Sequence, residues 1–158
     1  MGRLFAALYD LGMWLAGKQL ESRRRRVVEG VSGRTLELGI GTAQNARFYP
    51  RGAEIIGVDP DPAMLDRAGR RIREAPADLH LVAAAGEALP FRDGSFDDVV
   101  VTLALCSVES LDRTLEEARR VLKPGGRLRF FEHVRSESRG WARVQDAVTP
   151  AWRVIATG

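Results

Sequence analysis

Two rhythms of apolar residues alternate along the chain. Short apolar runs, bounded by Gly, Pro or Asp, read as strands over residues 34–38, 54–58, 79–83, 96–105 and 127–134. Between them apolar residues recur every three or four positions, which predicts helices over 3–29, 43–48, 63–74, 111–122 and 137–156, the last interrupted at Pro150. Tyr49-Pro50 stops the second helix and Pro76 follows the third. Lys123-Pro-Gly-Gly126 ends the fourth, with glycine as C-cap and proline as breaker. The run after Asp97-Asp98 is almost continuously apolar, as expected for a strand buried on both faces of a parallel sheet. Strands alternating with helices predict βαβ units and an α/β, doubly wound, mainly parallel sheet. At 158 residues the chain is one domain. It divides into an N-terminal substrate-side helix (1–33), a cofactor-binding core (34–134) and a C-terminal helix (135–158).

The first strand-turn-helix unit carries the chemistry. Thr35-Leu-Glu-Leu-Gly-Ile-Gly-Thr-Ala-Gln-Asn45 passes from an apolar run through Glu37, Gly39 and Gly41 into the predicted helix, and Ile55-Ile-Gly-Val-Asp59 ends on a carboxylate. Glycines let a backbone approach a ligand, and a helix N-terminus offers free N–H groups. An acidic residue at the tip of the next strand suits a ribose. A dinucleotide fingerprint wants a third glycine, but Gln44 stands at that position. Glu37 would also oppose a pyrophosphate. Charge therefore favours S-adenosylmethionine, with its sulfonium and ammonium, over NAD.

Charge and cysteine content narrow the partners. The net charge is only +3, yet Arg23–Arg26 form one block and Arg70, Arg71 and Arg73 another. Such blocks mark nucleic acid, anionic membrane or a solvated helix face. Few aromatics interleave with them, which argues against RNA. One cysteine, Cys106, leaves no internal disulfide and fits a reducing, cytoplasmic setting. The stretch from Leu4 to Ala16 is broken by Asp10, and no apolar run reaches membrane-spanning length. Leu4, Phe5, Leu8, Leu11, Trp14 and Leu15 make an apolar stripe followed by arginines. Packing on the domain, roofing a cleft and peripheral contact with a membrane surface all remain open for that helix.

The chain resembles the class I S-adenosylmethionine-dependent methyltransferases of type 11, a Rossmann-like family. The resemblance rests on Leu36-Glu-Leu-Gly-Ile-Gly-Thr42, Gly57-Val-Asp59, Ala88-Leu-Pro-Phe-Arg-Asp-Gly-Ser-Phe-Asp97 and Arg120-Val-Leu-Lys-Pro-Gly-Gly126. Leu105-Cys-Ser-Val108, Phe131-Glu-His-Val134 and Thr149-Pro-Ala-Trp152 look like the narrower methyltransferase-like 7 group, which includes thiol S-methyltransferases. By this resemblance Glu37, Gly39 and Gly41 hold the methionine end of S-adenosylmethionine and, after transfer, of S-adenosylhomocysteine. Asp59 takes the ribose with Pro60 beside the adenine, Gly86 and Glu87 lie on the adenine edge, and Leu103 to Cys106 end the fourth strand beneath the methyl group. Three departures stand out. Ala43 replaces the motif's third glycine, where its methyl is either tolerated at a helix start or narrows the cofactor channel. Ala85 replaces an Asp, which leaves Glu87 or the backbone at the adenine. The family's final antiparallel hairpin is missing from the five recognisable strands, which predicts an open edge on the fifth strand, covered by a homodimer through it, by an exchanged C-terminal segment or by the final helix folding across it.

His133, at the end of the fifth strand, is the candidate base; its alternative is a structural histidine bonding a loop. Glu132 alternates with it. Cys106 lines the pocket or, as the favoured reading, fills space as a small buried hydrophobe. No residue cluster has metal-ligand spacing, so no metal is expected. Phe5, Leu8, Tyr9, Trp14, Trp141 and Trp152 suggest a greasy pocket for a small-molecule or lipid acceptor: a thiol, a phenol or quinone, or a lipid amine. The rival readings are a cofactor-binding module impaired by the missing hairpin and, more weakly, an NAD-linked oxidoreductase.

Overall fold

The computed structural model describes residues 20–132. Five strands, β1 (Arg34–Leu38), β2 (Glu54–Asp59), β3 (Asp78–Ala83), β4 (Phe96–Thr102) and β5 (Leu122–Phe131), form one sheet in the order β3-β2-β1-β4-β5. All four pairings are parallel. Helical residues 20–28 (α1), helix α2 (Pro62–Arg71) and helix α3 (Leu111–Val121) cover it. The doubly wound reading therefore holds. Candidate base His133, residues 3–19 of the first helix, Trp141, Trp152 and the predicted C-terminal helix lie outside the described residues, as does everything after Glu132.

Side-chain alternation along the strands sorts the core into two layers. Ile55, Leu79 and Val100 pack with Val28 of α1 and Ala68 of α2 on one face. Leu36, Leu38, Ile56, Val58, Val99 and Val101 pack with Ala118 and Val121 of α3 on the other. Val99, Val100 and Val101 are all essentially inaccessible, which is why β4 reads as an unbroken apolar run. Burying each such side chain contributes about 2 kcal/mol.

The helices start where local chemistry tells them to. Asp61 caps α2 by accepting from the Ala63 N–H at 2.8 Å, with Pro62 in the first turn and Arg70 and Arg71 in the last. Ser110 caps α3, whose buried positions Thr114, Ala118 and Val121 follow helical spacing.

Several predicted elements change, among them the fourth strand, which ends at Thr102 instead of running to 105 and gives way to a 3-10 turn at Leu105–Ser107. The helix expected over 43–48 is a series of turns ending in a single 3-10 turn, Ala46–Phe48, so it offers no helix N-terminus to an anion. The third helix tightens into a 3-10 turn at Ile72–Glu74. Helix α3 ends on an extended Leu122 rather than a glycine cap. Lys123-Pro-Gly-Gly126 instead bulges out of β5. The ladder pairs Phe96 with Leu122 and next Asp98 with Arg127, skipping these four residues. Pro124 has no N–H to give the ladder, and Gly125 sits at φ +81°.

Candidate active site

The strand order reverses direction between β1 and β4, and in open α/β sheets ligands bind at the carboxyl ends of strands at that point. Three segments converge there: the loop after β1, the tip of β2 and the turn after β4.

The β1 loop turns sharply because Gly39 and Gly41 adopt positive φ, +64° and +54°. A Cβ on Gly39 would lie 2.4 Å from Ala104 Cβ, so the loops after β1 and β4 touch. Gly41 has open space on its Cα, with no atom nearer than 4.0 Å to a virtual Cβ. Its N–H donates to Asp59 Oδ2 at 2.9 Å, while the Asp61 N–H donates to Asp59 Oδ1 at 2.9 Å. Each oxygen keeps a lone pair for a further donor. Burial pushes the Asp59 carboxyl above its ordinary range, against these two backbone bonds.

Glu37 lies beneath the loop, 1% exposed. Asn45 Nδ2 donates to its Oε1 at 2.6 Å and the Tyr49 hydroxyl to its Oε2 at 2.8 Å. Burial raises the carboxyl from 4.5 to about 7, opposed by the Tyr49 and Asn45 bonds and by the charge of Arg24, and aided by Asp59. Burial and the adjacent Glu37 push Tyr49 well above its usual value, so its hydroxyl stays a donor. Glu37 thus fastens the far limb of the glycine loop and sets negative charge under it.

The network extends further than the sequence suggested. Asn45 Nδ2 also donates to Thr102 Oγ1 at 2.9 Å, and Arg24 Nη1 donates to Thr102 Oγ1 at 2.8 Å and Asn45 Oδ1 at 3.1 Å. Arg24 is buried, whereas Arg23 stacks over Phe131 and Arg25 over Phe48. Three of the four block arginines are therefore engaged with the fold. Arg24 alone leaves the surface; Arg23, Arg25 and Arg26 stay exposed. The one available signal was Val28 four residues beyond Arg24, which puts both on one helical face.

Ala43 stands at φ +58° and is buried in the core beside Ala46 and Tyr49. Its methyl fills the domain interior and does not narrow a cofactor channel. At the end of β4, Leu103 is a second non-glycine at positive φ, +57°. The Phe131 carbonyl accepts from its N–H at 2.8 Å. Glu132 Oε1 accepts from the Ala104 and Leu105 N–H groups at 2.7 and 3.0 Å, which pins the turn. Strain held in this way is common at functional sites. Cys106, in the next 3-10 turn, is exposed and does not fill the core.

The predicted adenine-side residues are less unified. Pro60 is exposed at the β2 tip. The loop after β3 joins that tip through Ala84 N–H to Asp59 O, 3.3 Å. Gly86 packs against Thr114 of α3. Glu87 Oε1 accepts from the Glu109 and Ser110 N–H groups at 2.7 and 3.1 Å. Partial burial raises its carboxyl, but these bonds outweigh that and hold it below the usual range. Both bonds use Oε1 and tie this loop to the start of α3.

Donors and acceptors here fit an adenosyl sulfonium. The Asp59 oxygens retain acceptor capacity, Gly41 is open to backbone approach, and the two carboxylates suit a cation. Among the described residues no group of His, Cys, Asp or Glu could hold a metal, and no helix is long and apolar enough to cross a membrane.

Known proteins share this arrangement. Residues 36–130 match the methyltransferase domain family. Human thiol S-methyltransferase TMT1B is 37% identical over 155 residues, covering 90% of this chain and 64% of its own length. Human thiol S-methyltransferase TMT1A is 36% identical over 160 residues, covering 98% of this chain and 65% of its own. The chain thus spans just under two thirds of these relatives. A crystal structure of an S-adenosylmethionine-dependent methyltransferase from Thermotoga maritima superposes with a TM-score of 0.74 at 25% identity, over 98% of this chain and 69% of that one. S-adenosylmethionine is the cofactor that this family and fold imply. With the family's motifs gathered at the carboxyl ends of β1, β2 and β4, the chain belongs to the methyltransferase domain family.

Proposed function

We propose that this chain is the cofactor-binding core of an S-adenosylmethionine-dependent methyltransferase whose acceptor is a small apolar thiol. The supporting observation is its 37% identity, over 90% of the chain, to a protein named as a thiol S-methyltransferase. The sheet supports it with a cleft of matching charge.

When bound, the cofactor supplies an electrophilic methyl group on a sulfonium, whose displacement leaves a neutral thioether. Asp59 binds the ribose hydroxyls through the acceptor sites that Gly41 and Asp61 leave free. Gly39 and Gly41 shape the methionine side, and Glu37 sets charge beneath it. Leu103, held at positive φ, presents the floor of the transfer site. Pro60 and the backbone around Gly86 flank the adenine, while Glu87 shapes the approach to α3 from behind. A thiol reacts as thiolate, so alignment and desolvation carry the rate; well-oriented neighbours gain up to roughly 7–11 kcal/mol. His133 is the residue proposed to take the thiol proton.

The test is a methyl-transfer screen over small thiols, phenols and lipid amines, read by S-adenosylhomocysteine release. Turnover confined to thiols is the expected result. Turnover of phenols or amines alone would overturn the acceptor assignment. Cofactor binding with no turnover of any class would favour the impaired-module reading.

A further inference from the structure

Arg24 enters the site from α1, a helix outside the cofactor motifs. It is 4% exposed, and its Nη1 reaches both Asn45 Oδ1 and Thr102 Oγ1. A guanidinium only donates. Asn45 must therefore turn its carbonyl toward Arg24 and its NH2 toward Glu37 and Thr102, as it does. The orientation of the Asn45 amide follows from the arginine. Thr102 stands at the end of β4, next to the strained Leu103, and Asn45 stands on the far limb of the glycine loop. One side chain thus ties α1, the β1 loop and the β4 end together.

We propose that Arg24 is a positioning residue for the cofactor cleft: through Asn45 and Thr102 it orients the Glu37 carboxylate and holds the glycine loop in its ligand-ready form. This rests on the cofactor reading above. It also gives α1 a means of control, because anything that lifts this helix off the sheet removes Arg24 from beneath the loop. The charges around Glu37 are consistent with the assignment. From α1 comes Arg24, from the segment after the 3-10 turn Tyr49, and from β2 Asp59 with Asp61 beside it; β4 contributes the neutral Thr102. Arg24 is the cation of this set, and its charge favours ionised Glu37.

Two measurements test the proposal: carboxyl NMR titration of Glu37 in the ligand-free protein, and calorimetry with S-adenosylhomocysteine across pH. Arg24→Met should move the Glu37 midpoint upward and weaken the ligand about tenfold at neutral pH, as expected for loss of one favourable charge interaction. Arg24→Lys should recover part of both effects. Thr102→Val keeps the shape and the arginine, and should weaken the ligand while leaving the midpoint nearer to that of the parent. An unmoved midpoint and unchanged affinity in folded Arg24→Met would overturn the proposal. So would lost stability with neither change, since that is what mere packing predicts. If Arg24→Met does not fold, Arg24→Lys and Thr102→Val decide by the same two readouts. If the parent protein fails to bind the ligand, the cofactor reading fails, and the midpoint shift alone still decides whether Arg24 orients Glu37.

Discussion

Gly41 and Asp59 meet at 2.9 Å, backbone N–H to carboxylate, and this contact joins the loop after β1 to the tip of β2. With the Asp61 N–H on the other oxygen, both halves of the carboxylate already accept from the backbone. Asn at this position would bring an NH2 against an N–H, so the isosteric change is not conservative here. Asp59→Asn and Asp59→Ala should each weaken S-adenosylhomocysteine binding by roughly 1.5–3 kcal/mol, the range for hydrogen bonds to a charged group. Calorimetry on the folded variants checks this. Full affinity in Asp59→Asn would remove Asp59 from the ribose site.

Ala43 tests the loop from the other side. Its positive φ costs roughly 1–2 kcal/mol for an alanine, while its buried methyl contributes about 0.8 kcal/mol. Ala43→Gly should therefore stay within about 1 kcal/mol of the parent in urea unfolding and bind the cofactor equally well. Ala43→Val adds a β-branch where none is tolerated, in a filled core, and should lose more than about 2 kcal/mol. A stable valine variant would show that the loop takes another path.

The sheet and the cofactor loop were legible because their signals are local. Apolar runs ending in Glu37-Leu-Gly39 and in Asp59 fix two strand tips and the turn between them. What escaped depends on side chains meeting across the fold. Arg24 and Thr102 are 78 positions apart, and nothing in an arginine block says which member will turn inward. The sequence sets Glu132 beside His133, and nothing local shows that its oxygen reaches the Ala104 and Leu105 amides. Glu87 sits in a motif that implies a ligand, and the motif does not show that one of its oxygens also accepts from the backbone before α3. The apolar pattern also over-extended the segment after Gly41, because period counting cannot separate packed turns from a short helix.

Glu132 should matter for the shape of the β4 turn. Glu132→Ala leaves two amides without their acceptor and should cost roughly 2–3 kcal/mol; Glu132→Gln keeps one oxygen there and should cost about 1 kcal/mol. Hydrogen exchange at Ala104 and Leu105 is the direct readout. Faster exchange in the alanine variant, with β1 and β2 protected as before, is expected. Unchanged protection would mean that Leu103 holds its conformation without help from Glu132.

Glu37 links stability to pH with a sign opposite to that of most carboxylates. Its folded value, about 7, lies above the ordinary 4.5, so the folded protein holds this proton more tightly than the unfolded chain does. The stabilisation is complete below about pH 4.5 and is lost as pH rises through 7. By that shift, the parent should lose about 3 kcal/mol from this group by pH 8 relative to pH 4. Glu37→Gln does not titrate, and it retains one acceptor for Asn45 and an NH2 that the Tyr49 oxygen can accept. Its stability relative to the parent should therefore rise by about that amount over the same interval. Cofactor binding should change in the reverse sense. The parent gains affinity for the cationic ligand as Glu37 ionises, up to about tenfold per pH unit below 7, whereas the glutamine variant binds weakly and without that dependence. Chemical denaturation and calorimetry at matched pH values measure the two halves. Parallel stability curves for parent and variant between pH 4 and 8 would show that burial does not raise Glu37, and the charge beneath the glycine loop would then be fixed instead of switchable.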